Sequence, residues 1–321
     1  MRWAPIACVL TLLLAGATAE AQQRYALIVS GATGGEEYVE QYATWTSAFE
    51  RTLTERMRFD AARVTILSET DEAEAAATAA NVRRAVAGLR QRMTRDDLLL
   101  VLLVGHGTFD GVDAKFNLVG PDMESSEWAA LLKPLPGRVV VVNTTAGSFP
   151  FIERLSGPRR IIISATDSMA QRFDTVFAGY FVQAFEDESA DLDKNARVSI
   201  WEAFASASAA VRRHYQRRGQ LSTERSLLDD DGDGVGRGAA EQGTDGSLAT
   251  RTYLDENHPG AAPTDEELIA LLQRKALVEA ELDDLKIRKA FLQPDEYARE
   301  FERIIIELSR VSSDIRKRGK T

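Results

Sequence analysis

The sequence predicts an α/β fold, a mostly parallel sheet with helices on both faces, followed by a C-terminal helical hairpin. Three observations carry this. Short runs rich in Val, Ile and Leu alternate with longer stretches of helical periodicity from residue 24 to residue 186. The runs are apolar at nearly every position, as strands buried on both faces are. After residue 263 the pattern changes to two long amphipathic segments broken at Gln293-Pro294-Asp295.

The chain opens with Arg2, an apolar run over 6–15 and small residues ending in Ala19-Glu20-Ala21, the pattern of a secretory signal peptide over residues 1–21. No other stretch reaches the roughly 20 apolar residues of a membrane helix. An exported protein without a membrane span, periplasmic or secreted, is expected. Cys8, the only cysteine, lies in this segment, ahead of most of the apolar run. The mature chain would therefore hold no thiol and no disulfide, and would rely on core burial for stability. With 49 acidic against 39 basic residues the net charge is −10, which argues against a nucleic-acid partner.

Residues 25–30, 64–68, 98–105, 139–143 and 161–165 read as the strands. Segments 36–57, 78–93 and 124–132 read as the intervening helices, 175–186 as a helix after the last strand, and 22–218 as one α/β domain. Ligands of such folds sit at the carboxyl ends of the strands, so the loops beginning at Ser30, Glu69, Gly105 and Asn143 are the ones to inspect. An acidic loop from residue 187 runs into a helix over 199–218. Residues 219–263 read as an Asp/Gly-rich loop and linker, ending in His258-Pro259-Gly260 and Pro263.

The hairpin covers 264–318, with Thr264 and Asp265 placed to cap its first helix and Pro294 at the start of its second. Tyr297, Phe301, Ile304, Leu308, Val311 and Ile315 form a heptad seam, and Leu268, Leu271, Val278, Leu282 and Leu285 a matching stripe. An antiparallel pair folded on itself or on the sheet domain is expected. Coiled-coil self-association or a partner helix is the alternative.

Two strand-end loops carry the chemistry. DLLLVLLVGHG places His106 between Gly105 and Gly107 after one strand, and RVVVVNTTAGSF places Thr144, Thr145 and Ser148 after the next, followed by RRIIISAT. This pair resembles the legumain and caspase families of cysteine peptidases, over roughly residues 24–218. The resemblance implies a three-layer caspase-like sandwich, with His106 and Gly107 at the places of the catalytic histidine and its glycine. It puts Thr145 where the catalytic cysteine belongs. A threonine hydroxyl lacks the acidity of a thiol and needs a strong, oriented base. Thr145 is internal and His106 has no assigned orienting acid, although Asp110 is close in sequence. The resemblance thus implies a peptidase homologue without peptidase activity, a pseudoenzyme acting as a binding or scaffold module for a peptide or protein. The alternative is a hydrolase using Thr145 or Ser148 with His106.

Two acidic loops are candidates for Ca2+. Residues 191–202 match an EF-hand-type loop, with Asp191, Asp193, Asn195 and Ser199 at positions 1, 3, 5 and 9, the Arg197 carbonyl at 7 and Glu202 at 12. Position 6, where the turn favours glycine, is Ala196. The second loop offers Asp229, Asp231 and Asp233 with Gly234 at position 6, but Ala240 stands at position 12. His214 and His258 have no companions at zinc-ligand spacing.

Overall fold

The computed structural model describes residues 22–171, 174–241, 243–256 and 266–318. The expected signal segment with Cys8, His258 and the caps Thr264 and Asp265 lie outside them. The first half of the chain runs β1 (Arg24–Ser30), α1 (Glu36–Arg51), β2 (Val64–Leu67), α2 (Ala79–Arg92), β3 (Leu98–Val104), β4 (Gly107–Phe109), β5 (Ala114–Phe116), β6 (Met123–Glu124) and α3 (Ser125–Leu132). It continues through β7 (Arg138–Asn143), α4 (Pro150–Leu155), β8 (Arg160–Ser164), α5 (Phe177–Ala184), α6 (Ile200–Arg217), β9 (Leu227–Asp229), α7 (Ser247–Thr250), α8 (Glu266–Arg288) and α9 (Pro294–Arg318). A π-helical turn, Thr52–Arg56, prolongs α1.

The five apolar runs pair as parallel strands, and β9 joins β8 antiparallel, giving the order β2-β1-β3-β7-β8-β9. Alternate residues face opposite sides, so each strand serves two cores. Ile28, Leu100, Leu102, Val140, Val142 and Ile163 pack with α1, α5 and α6. Leu27, Leu99, Val101, Val141 and Ile162 pack with α2, α3 and α4. This is the expected three-layer α/β arrangement, and it explains why the strands are apolar throughout rather than alternating.

Local chemistry sets the helix starts. Thr78 caps α2 by accepting from the Asn81 N–H at 3.2 Å. Ser199 and Glu202 form a reciprocal capping box at α6. A small antiparallel sheet, β4-β5-β6, follows the His106 loop. Its strands are only two or three residues long, and β9 falls within the segment read as loop and linker; none offers a run long enough to show a period.

The C-terminal pair is present as α8 and α9. Val278, Leu285 and Ile304 form its own small core, with Leu282, Tyr297 and Leu308 against it. Leu268, Leu272, Val311 and Ile315 instead join the core of the sheet domain. The hairpin thus folds on itself toward its tip and on the body at its root. Phe301 leaves the seam, at 38 % exposure. No described helix is long and apolar enough to cross a membrane.

Candidate functional site

Parallel pairing brings the loops after β1, β2, β3, β7 and β8 to one edge of the sheet. The first two meet where Thr33 donates from N–H and hydroxyl to Glu69, at 2.8 and 2.6 Å. These bonds hold the Glu69 carboxyl below its ordinary range. The loops are tightly fitted: a Cβ at Gly31 would stand 2.1 Å from the Asn117 carbonyl oxygen.

His106 sits at this edge with both ring nitrogens engaged. Nε2 lies 2.9 Å from the Thr33 carbonyl oxygen and 3.3 Å from the Tyr42 hydroxyl, and Nδ1 lies 3.2 Å from Asp174. A carbonyl can only accept, so Nε2 carries the hydrogen in that contact and directs no lone pair at a nucleophile. Tyr38 packs edge-on against the ring and donates its hydroxyl to Asp174, whose carboxylate pushes the phenol up to about 12. Asp174 is thus the acid that faces His106. Asp110 instead accepts the N–H groups of Val112 and Asp113 in a turn and faces Lys115 at 3.7 Å.

The Thr145 loop packs against the His106 loop. A Cβ at Gly107 would stand 2.3 Å from Thr145 Oγ1 and 2.6 Å from the Ala146 carbonyl oxygen, so only glycine allows this approach. Thr145 is 1 % exposed. Its hydroxyl donates to Asn143 Oδ1 at 2.8 Å, with the Ala146 carbonyl at 3.2 Å as the other acceptor in reach, and its N–H donates to the same Oδ1 at 3.1 Å. Ser148 is equally buried and acts as a staple between the ends of β7 and β8. Its N–H donates to Thr166 Oγ1, and its hydroxyl oxygen accepts from the Ala165 and Thr166 N–H groups at 3.1 and 3.3 Å. Neither hydroxyl is bonded to His106.

Two groups of carboxylates could hold a metal ion: Asp191, Asp193 and Glu202, and Asp229, Asp231 and Asp233. The first is buried. Ala196 adopts the left-handed turn at φ 65°, so the chain makes the bend that position 6 requires despite a cost on the order of 1 kcal/mol. Asp191 accepts from the Asn195 and Ala196 N–H groups, and Arg197 N–H donates to Asn195 Oδ1. Glu202 accepts from the Leu192 and Asp193 N–H groups through one oxygen and from Ser199 through the other. Burial raises the Asp193 carboxyl to about 7, with the Glu202 charge adding to it, and burial pushes Glu202 up as well. Among the described residues no Lys or Arg forms an ion pair with these three. The Arg197 guanidinium turns away to Asp255 and stacks 3.8 Å above Tyr253, tying the loop to the segment before the hairpin.

The second group carries its own cation. Arg237 reaches Asp233 at 2.9 Å, Asp245 at 2.5 Å and Asp231 at 3.9 Å, and its bond holds the Asp233 carboxyl low. Asp229 accepts the N–H groups of Gly232 and Gly234, while Asp230 is buried against the start of α7, accepting from Gly246 and Ala249.

Between α6, α8 and residues 219–227 lies a cavity of about 880 Å3, which reaches Leu192 of the first acidic loop. Ala209 and Leu282 supply apolar lining, and Arg212, Glu224 and Lys275 supply charge. Burial raises Glu224 to about 7 although it accepts from the Val176 and Phe177 N–H groups and the Tyr215 hydroxyl. His214, on α6, meets the Tyr180 hydroxyl through Nδ1 at 3.0 Å.

The sequence brings out His106, Gly107 and Thr145 and points to the loops that hold Thr33 and Asn143 without giving these two a role, but it does not point to Asp174. Asp174 follows β8, whose loop leaves the same sheet edge; counting that fifth strand end among the loops to inspect would have included it. No protein-family model and no curated protein significantly matches this chain.

Proposed function

We propose that this is an exported, caspase- and legumain-like protein that does not hydrolyse peptides and serves as a calcium-stabilised binding module. The observation that carries the reading is the placement of the hydroxyls. Thr145 and Ser148 are buried and spend their hydrogen bonds on Asn143 and on the β8 loop, while His106 Nε2 is bonded to the Thr33 carbonyl. Nucleophilic catalysis requires a hydroxyl within hydrogen-bond reach of a free base. A fluorophosphonate probe should therefore label neither hydroxyl in the folded, calcium-loaded protein. Labelling at Thr145 or Ser148 that disappears in His106→Ala would replace this reading with the hydrolase.

Calcium belongs to the first acidic loop in this reading. The donor set is all oxygen, the turn at Ala196 is made, and among the described residues no Lys or Arg stands at ion-pair distance from the buried carboxylates; Lys275 acts on Asp191 and Glu202 only from further off. Asp191, Asp193, Asn195, Ser199, Glu202 and the Arg197 carbonyl would hold the ion, which would supply a positive charge in direct contact with the carboxylates. Arg237 already serves that purpose for Asp231 and Asp233. Calorimetric titration of chelator-treated protein with calcium should give one site, abolished by Asp193→Asn and retained in Asp231→Asn. Full-strength binding in Asp193→Asn would contradict the assignment. The cavity beside this loop, with its mixed apolar and charged lining, is the place where a peptide partner would be held.

A further inference from the structure

The opposite, amino-terminal edge of the sheet carries an unbalanced positive cluster. Arg138 opens β7, Arg159 precedes β8 and Arg251 follows α7. A backbone bond brings the first two together: Val139 N–H, next to Arg138, donates to the Arg159 carbonyl at 3.1 Å. Arg138 Nη1 then reaches the hydroxyl of Thr252, the residue after Arg251, at 3.0 Å.

Among the described residues none of these three guanidinium groups forms an ion pair. Asp97, which precedes β3 and whose carbonyl accepts the Arg138 N–H, is 2 % exposed, and its carboxylate accepts from the Gln23 and Thr94 N–H groups at 2.8 and 2.7 Å. Arg138 Nε is buried with no acceptor at all. Arg159 donates to the Arg95 carbonyl, and Arg251 to the carbonyl and hydroxyl of Ser247. The Arg138 guanidinium is pushed below its ordinary value by burial and then by the Arg159 and Arg251 charges, so each of these two lies near enough to act on Arg138. Arg160 differs: it is buried among the carbonyls of Gly137, Lys133 and Leu135, which supply a full set of neutral acceptors.

A buried donor without an acceptor, beside two further cations, is costly unless an anion completes it. In a chain of net charge −10 such a cluster is also against the general balance. We infer that Arg138, Arg159 and Arg251 form a binding site for a tetrahedral oxyanion, a phosphate or sulfate group. Guanidinium groups present paired N–H donors that match such oxygens, and three cations from three separate segments suit a dianion better than a single carboxylate.

The test uses the full mature chain in calcium-free buffer, titrated with inorganic sulfate, inorganic phosphate or glucose 6-phosphate, against sodium chloride at equal ionic strength. Sulfate and phosphate should raise the melting temperature by several degrees more than chloride, and part of that rise should be lost in the arginine variants, which separates binding to the folded state from the general stabilisation these anions give by exclusion. Arg159→Gln and Arg251→Gln should each weaken binding about tenfold, the loss of one charge-assisted contact. Both should melt at or above the wild-type temperature in chloride, since each removes a repelling charge. Stronger binding of glucose 6-phosphate than of free phosphate would place the group on a larger molecule, and the reverse would make the free ion the ligand. Equal effects of sulfate, phosphate and chloride, or undiminished binding in both variants, would overturn the inference. Arg138 is left unchanged because it also holds Thr252.

Discussion

At the residue scale the decisive group is Thr145, whose hydroxyl is used to close its own loop. Thr145→Val keeps the shape and removes the bond to Asn143 Oδ1, which then retains only the Thr145 N–H. A loss of about 1 kcal/mol in urea unfolding is expected, the net worth of one buried hydrogen bond. His106 and Thr145 were legible because each ends an apolar run and stands beside glycine or another small residue. Their partners were not: Asp174, Thr33 and Asn143 are set by which strand ends lie side by side, and strand order is not written in local pattern. Glu224 gives a residue-scale test of pH. Burial raises its folded value to about 7, above the ordinary carboxyl value near 4.5, so the folded state binds more protons between those values. Its contribution is present in full below about pH 4.5 and falls as pH rises through 7, by on the order of 3 kcal/mol. Unfolding measured across that range should fall less steeply in Glu224→Gln than in wild type; parallel curves would show that the carboxyl does not titrate there.

At the element scale the long periodic segments were readable and the short ones were not. The strands β1, β3, β7 and β8 and the helices α1, α2 and α6 follow from runs and caps in the sequence. β4 to β6 and β9 exist because neighbouring loops hold them, and two or three residues carry no period of their own. The approach of β4 to the Thr145 loop depends on Gly107. Gly107→Ala would drive a Cβ into Thr145 Oγ1 and the Ala146 carbonyl, and should destabilise by roughly 1–3 kcal/mol in denaturant unfolding. The hairpin divides in the same physical way. Its root, through Leu268, Leu272, Val311 and Ile315, shares the core of the body, while its tip rests on the small cluster of Val278, Leu285 and Ile304. Hydrogen exchange should therefore be faster around residues 285–304 than around 268–272 and 311–315, since local opening follows buried apolar contact. Leu272→Ala, at a fully buried position, should cost about 2–5 kcal/mol.

Across the whole molecule the parallel sheet separates three regions. Its carboxyl edge carries His106, Thr145 and Asp174; its amino edge carries the arginine cluster. The face covered by α6 and the hairpin carries the acidic loop and the cavity. The grouping of Asp191, Asp193 and Glu202 and the left-handed turn at Ala196 were legible, because they lie in one short stretch; the arginine cluster was not, because Arg138, Arg159 and Arg251 come near one another only after the strands align. In the proposed account, peptidase-like architecture is retained while binding, stabilised by calcium, replaces hydrolysis. The most direct test is mass-spectrometric sequencing of a broad peptide library after incubation with the calcium-loaded mature protein and with its His106→Ala variant. The account predicts the same uncleaved library from both. Cleavage by the wild type that vanishes in His106→Ala would contradict it.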